Sequence, residues 1–188
     1  MKTFRIAILL FSCLTVLTGV IYPGIVTLIG QLAFPRQAMG SLVRNPAGAP
    51  AGSLLIGQPF SDPKYFWSRP SATSDFPYNS LASGGSNLGP TNPELLKQVA
   101  ERVAALKSSG LPGSAPADLV MASGSGLDPH ISLESALLQV HRVAGVRGHT
   151  EDRLRRLVQE QAEGRQLGIL GVDRVNVVQL NRALDNLR

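Results

Sequence analysis

The stretch MKTFRIAILLFSCLTVLTGVIYPGIVTLIGQLAFP, residues 1–35, decides the fold, because Lys2 and Arg5 precede a run from Ile6 to Pro35 that carries no charge. A helix over residues 6–29 is roughly 36 Å long at ~1.5 Å per residue, enough to cross a hydrocarbon core of ~30 Å with modest tilt. A cleaved secretory signal shares the basic start, but its apolar region is usually only ~7 to 15 residues and ends in a small-residue cleavage site. Here the run is longer, and the nearest small pair, Ala38 and Gly40, lies far beyond its centre. The segment therefore reads as a retained single-span anchor. Pro23 removes an N–H and predicts a kink. Gly19, Pro23 and Gly24 offer close backbone approach to another helix. Lys2 and Arg5 on one side face Arg36 and Arg44 on the other. Since so few residues precede the span, the N-terminus is expected inside. The expected organisation is a short cytoplasmic N-terminus at 1–5, an anchor at 6–33 and one extracytoplasmic domain at 34–188.

The part beyond the anchor has the length of a typical single domain and can bury a real core. Net charge over the 188 residues is +5, and setting Lys2 and Arg5 aside leaves 16 basic against 13 acidic residues. That balance argues against a nucleic-acid binder. The densest basic patch, residues 142–156, also holds Glu151 and Asp152 and reads as a solvated helical face. Cys13, the single cysteine, lies inside the span, so no disulfide forms within the chain.

Seven glycines and nine prolines fall within residues 34–93. They break any long helix and favour short strands joined by turns, with strands expected at 41–43, 53–57 and 65–67. The second half changes character. Asn92, Pro93 and Glu94 give an N-cap, a proline at the first helical position and an acid in the first turn. Leu95, Val99, Val103 and Leu106 then repeat at helical spacing until Gly110. Residues 118–122 read as a short buried strand. A second helix is expected from Ser132, with Leu133, Ala136, Leu137, Val140 and Ala144 on one face. A third spans 150–164 and a fourth starts near Asn176. Strands first and about four helices later predict an α+β domain behind a single transmembrane helix.

Three stretches invite a chemical reading. Ser83-Gly84-Gly85-Ser86-Asn87-Leu88-Gly89-Pro90 has glycines that expose backbone N–H groups to a phosphate ahead of the helix at Pro93. It lacks the lysine of a Walker loop and the spacing of a dinucleotide fingerprint, which favours a structural loop. Residues 123–132 contain Ser125, Asp128 and His130, the residue types of a hydrolase. Asp128 and His130 sit on one turn, which makes a proton relay awkward, and the glycine spacing is not that of a nucleophile elbow. A tight Asp128-Pro129 turn capping the next helix explains the segment better. His130, His141 and His149 lack the spacing of paired metal ligands. Finally, Asn176, Gln179 and Asn181 interrupt an apolar stripe and read as caps and internal hydrogen bonds of a core helix.

Taken in order, these segments closely resemble one family. Tyr22-Pro23, Gln37-Ala38 with Gly40-Ser41-Leu42, residues 52–60, Tyr65-Phe66 with Arg69-Pro70-Ser71-Ala72, residues 83–93, residues 123–132 with Gly126, Gln139-Val140 with Arg142-Val143-Ala144, and residues 174–181 with Ala183-Leu184 resemble the C subunit of the Kdp potassium-transporting P-type ATPases. Each match is weak alone; together they are specific. Met39 stands where the family usually has asparagine and Met121 where it usually has threonine.

The resemblance implies a bacterial inner-membrane subunit that assembles with a channel-like potassium-translocating subunit, a P-type ATP-hydrolysing subunit and a small single-span subunit. The chain lacks the Asp-Lys-Thr-Gly phosphorylation motif of such pumps and is expected not to catalyse. It is expected to hold no cofactor or metal of its own, to bind no nucleic acid, and to meet ATP only through the ATPase partner, with potassium as the transported ion of the complex. Two roles are implied. One is an assembly subunit capping the outer entrance of the potassium pathway; the other is a catalytic chaperone raising ATP affinity through Ser83, Gly84, Gly85 and Ser86. An anchored periplasmic hydrolase using Ser125, Asp128 and His130 is the rival class. The motif residues expected to serve structure or partners are Tyr22, Pro23, Gly24, Arg69, Pro70, Asn87, Gly126, Asp128, Pro129, His130, Asn176 and Asn181.

Overall fold

Residues 1–45, 47–111 and 113–187 are described by the computed structural model, which divides into two compact units, residues 1–51 and 52–188. In the first, α1 (Lys2–Val16) continues through a π-helical turn at Leu17–Ile21 into α2 (Tyr22–Ala33). Together they form a helix of 32 residues with none of its apolar window buried, long and apolar enough to cross a membrane. The π turn has a local cause. Pro23 has no N–H for the fourth carbonyl back, and its ring presses on that turn. The chain widens there, Tyr22 N–H donating to Leu17 O five residues earlier. Thr18 Oγ1 adds a donor to Leu14 O (2.7 Å). The disturbance expected at Pro23 takes the form of a π turn. After α3 (Pro35–Ala38), β1 (Leu42–Arg44) pairs with β2 (Pro50–Ser53).

The second unit contains α4 (Pro93–Ser108), α5 (Ala117–Val120), β3 (His130–Ser132), α6 (Leu133–Leu138), α7 (Val140–Arg147), α8 (Glu151–Glu160), β4 (Ala162–Glu163), β5 (Arg174–Asn176) and α9 (Val177–Asp185). The sheet is antiparallel in the order β3-β5-β4, with Ile131 opposite Val175 and Ala162 opposite Val175. Helices start where polar side chains satisfy the first free N–H groups. Asn92 Oδ1 accepts from Glu94 N (2.9 Å), Ser132 Oγ from Ser135 N (3.1 Å) and Asn176 Oδ1 from Gln179 N (3.1 Å). Val177, Leu180 and Leu184 of α9 and Leu154 and Val158 of α8 meet Ile131, Val140, Val143, Val175 and Phe66 in one core. An α+β domain behind one apolar helix is what the sequence predicts.

Several expected elements differ. Residues 118–122 form no strand; α5 is a helical turn that buries Leu119 and Val120 against the core. The helix expected from Ser132 breaks at Gln139 into α6 and α7. The third helix stops at Glu160, so residues 162–163 join the sheet. The strand expected at 53–57 lies instead at Pro50–Ser53, and the one expected at 41–43 is shifted by one residue. Residues 65–67 form no strand.

Candidate functional site

The segment from Gly57 to Asn92 has no regular secondary structure, so its backbone groups must find partners elsewhere. Side chains of the helices supply many of them. Phe66 N–H donates to Asn181 Oδ1 (2.9 Å), and Asn181 Nδ2 donates to Phe66 O (2.9 Å). Trp67 N–H donates to Gln139 Oε1 (2.7 Å), and Gln139 Nε2 donates back to Trp67 O (3.2 Å). Two amide side chains thereby stand in for the neighbouring strand that residues 65–67 lack. Arg142 completes the group. Its guanidinium stacks 4.1 Å over the Trp67 ring and donates to Gln139 Oε1 (2.7 Å), Tyr65 O (3.0 Å) and Pro63 O. Burial lowers Arg142 to about 10, which leaves it protonated at pH 7.

Further along, three loops converge. Arg69 NH1 donates to Asp128 Oδ2 (2.8 Å), while Asp128 Oδ1 accepts from His130 N (3.0 Å) and lies 3.2 Å from His130 Nδ1. Burial works to raise the Asp128 carboxyl, but the His130 ring and backbone N–H, with the Arg69 guanidinium, outweigh it and hold it below the usual carboxylate range. Asp128 and His130 are therefore engaged with each other within one turn. Ser125 Oγ accepts from Leu127 N (3.1 Å) and lies 3.4 Å from Ser123 Oγ, so its hydroxyl is directed into its own turn. Asp118, half-buried, accepts from Ser132 N at the end of β3 (2.6 Å) and from Ser135 Oγ.

The glycine-rich stretches meet one another. Gly84 N–H donates to Ser125 O (2.9 Å), as does Ser83 Oγ (3.0 Å). Ser71 Oγ donates to Gly126 O (2.7 Å), and Tyr78 N–H donates to Ser71 Oγ (2.9 Å). A Cβ at Gly126, whose φ is +68°, would lie 2.6 Å from Gly84 O and 2.6 Å from Thr73 Cγ2. One at Gly85 would lie 3.1 Å from Gly124 O. These glycines are required by loop-on-loop packing. Pro129 O accepts from Val177 N (2.9 Å), tying the 128–130 turn to the start of α9.

The expected motif residues thus fall into three places. Arg69, Pro70, Gly126, Asp128, Pro129 and His130 belong to the converging loops, with Ser83, Gly84, Gly85, Ser86 and Asn87 along their edge; Ser86 and Asn87 are exposed, and Asn87 has φ +52°. Asn176 and Asn181 are buried in the sheet–helix core, Asn176 Nδ2 donating to Leu54 O (2.7 Å). Tyr22, Pro23 and Gly24 belong to the anchor helix. The sequence reading missed the structural weight of Trp67, Gln139 and Arg142. The signal available was a glutamine and an arginine three residues apart within an apolar helical stripe.

The family model described as "KdpC: K+-transporting ATPase, c chain" matches residues 4–186. The chain belongs to the KdpC family. It is 56% identical over 187 residues to a potassium-transporting ATPase KdpC subunit of Geotalea uraniireducens, covering 100% of this chain and 99% of the relative. It is 57% identical over 187 residues to that of Geobacter sulfurreducens, again 100% and 99%, and 58% identical over 186 residues to that of Citrifermentans bemidjiense, 99% and 98%. Membership makes the chain a subunit of a potassium-transporting ATPase and implies a complex with the other subunits of that pump.

Proposed function

We propose that this chain is a non-catalytic accessory subunit of an ATP-driven potassium uptake pump. Its anchor crosses the inner membrane with the N-terminus inside, and its second unit lies outside, where it stabilises the assembly and caps the outer entrance of the potassium pathway. ATP hydrolysis belongs to a P-type partner; a channel-like subunit and a small single-span subunit complete the complex. The observation that carries the reading is the closure of the 83–86 stretch onto Ser125 and Gly126. The N–H of Gly84 is spent on Ser125 O, and the converging loops' Arg69 is spent on Asp128. Tight triphosphate binding needs several aligned free N–H donors and a free cation, and this arrangement offers poor terms for it.

Titration calorimetry of the detergent-solubilised full chain with Mg-ATP tests this. No saturable heat in the micromolar range is expected. Saturable micromolar binding that disappears in a Gly84→Ala, Gly85→Ala double variant would favour the chaperone instead.

A further inference from the structure

Between β4 and β5 the chain leaves the domain as a hairpin, and every residue from Glu163 to Asp173 is exposed. Its end is apolar: Leu167 is 89% exposed, Ile169 75%, Leu170 56% and Val172 66%. It is also ordered by its own backbone. Gln166 N–H donates to Leu170 O (2.9 Å), Leu170 N–H to Gln166 O (2.9 Å), Gly168 N–H to Arg165 O (3.1 Å) and Ile169 N–H to Gln166 O (3.2 Å). Gly168 and Gly171 have φ of +75° and +83°, and Leu167 itself has φ +54°. A leucine in the left-handed region is disfavoured, and Leu167 buries little of its surface to offset that cost. The foot is clamped by Arg174 on Glu163 (2.9 Å).

We infer that the hairpin of residues 163–174 is a rigid docking finger, and that its aliphatic end, Leu167, Ile169, Leu170 and Val172, seats in an apolar pocket of another polypeptide subunit of the pump. This rests on the subunit reading above. Charge argues against a lipid surface as the occupant. Glu163, Arg165, Asp173 and Arg174 cancel, so nothing draws the finger to anionic headgroups. It also carries no Trp, Tyr or Lys to settle at the interface. Area argues against a second copy of this chain. The four side chains expose on the order of 500 Å², enough to mark a functional patch but short of the ~800 Å² per partner of a self-sufficient interface, so the finger suits a local contact inside an assembly held by further contacts rather than a dimer that rests on it alone. A preformed loop whose backbone is already paired loses little entropy on docking, which suits insertion into a protein pocket.

The test uses the full chain co-expressed with the rest of its pump. The photoreactive residue p-benzoylphenylalanine replaces Leu167 in one variant and the exposed Gln159 of α8 in another. Irradiated membranes are expected to yield, from position 167, an adduct that mass spectrometry identifies as another pump subunit, at least fivefold above the yield from position 159. An adduct with lipid alone, with a second copy alone, or no excess over position 159 overturns the inference. In parallel, the combined variant Leu167→Ser, Ile169→Ser, Leu170→Ser, Val172→Ser is expected to keep its melting temperature and lose about tenfold in recovery of the pump. Unchanged recovery overturns the inference. If the unmodified chain does not co-purify with the pump, the subunit reading itself fails.

Discussion

Asn181 gives Phe66 the two hydrogen bonds of an antiparallel strand partner, accepting from its N–H and donating to its carbonyl, both at 2.9 Å. Both residues are buried, at 2% and 0% exposure. Removing the amide strands a buried donor and acceptor, each costing about 1–3 kcal/mol. Asn181→Ala is expected to lose about 2–4 kcal/mol. Thermal denaturation of the full chain in detergent, at ~2–4 °C per kcal/mol, should read a drop of roughly 5–15 °C. Asn87→Ala, at an exposed site, should leave the melting temperature nearly unchanged.

Gly126 and Gly84 separate packing from ligand binding. A Cβ at position 126 meets Gly84 O and Thr73 Cγ2 at a left-handed φ, whereas one at position 84 meets nothing within 4 Å. Gly126→Val is expected to cost about 3 kcal/mol or more from strain and overpacking. Gly84→Ala is expected to be tolerated in both stability and pump assembly, measured by melting temperature and co-purification.

Asp128 sets an acid limb. Its carboxyl faces Arg69 and His130 and is held below its ordinary value. A carboxyl depressed on folding contributes stability that is present above its unfolded value of about 3.9 and lost as pH falls through the lower folded value. Asp128→Asn should therefore destabilise at pH 7 and lose less than the parent between pH 5 and the acid end. A pH series of denaturation midpoints checks this. Ser125→Ala, by contrast, should be mild and leave pump turnover intact.

How much of this was legible depended on how local each element's cause is. The anchor rests on a long uncharged, mostly apolar run, and α4 on Asn92, Pro93 and the spacing of Leu95 and Leu106, so both follow from neighbours in sequence. The three-residue strands β3 and β5 do not, because Ile131 and Val175 are paired across the fold. The break at Gln139 is likewise invisible locally. The side chain is taken by Trp67, 72 residues away. Residues 118–122 have the composition of a strand, but Asp118 is held by Ser132 and Ser135, which keeps Leu119 and Val120 in a helical turn. Among the candidate site residues, the order of the glycine-rich stretches was readable, while their mutual closure depended on tertiary contacts.

The π turn at Leu17–Ile21 and the small residues Gly19 and Gly24 leave room for a second helix to approach closely. Replacing residues 6–29 with polyleucine should keep the chain in the membrane fraction and weaken co-purification with the pump, since close helix approach is lost. Recovery equal to the parent would reduce the anchor to tethering.

The central claim is that the second unit lies outside the membrane. Leu81, 94% exposed in that unit, is suited to a direct reading. In a Cys13→Ser background, Leu81→Cys is treated in intact spheroplasts with a membrane-impermeant maleimide. Labelling before lysis equal to that after lysis is the predicted result. Labelling only after lysis would contradict the account and put the domain on the side where ATP is found.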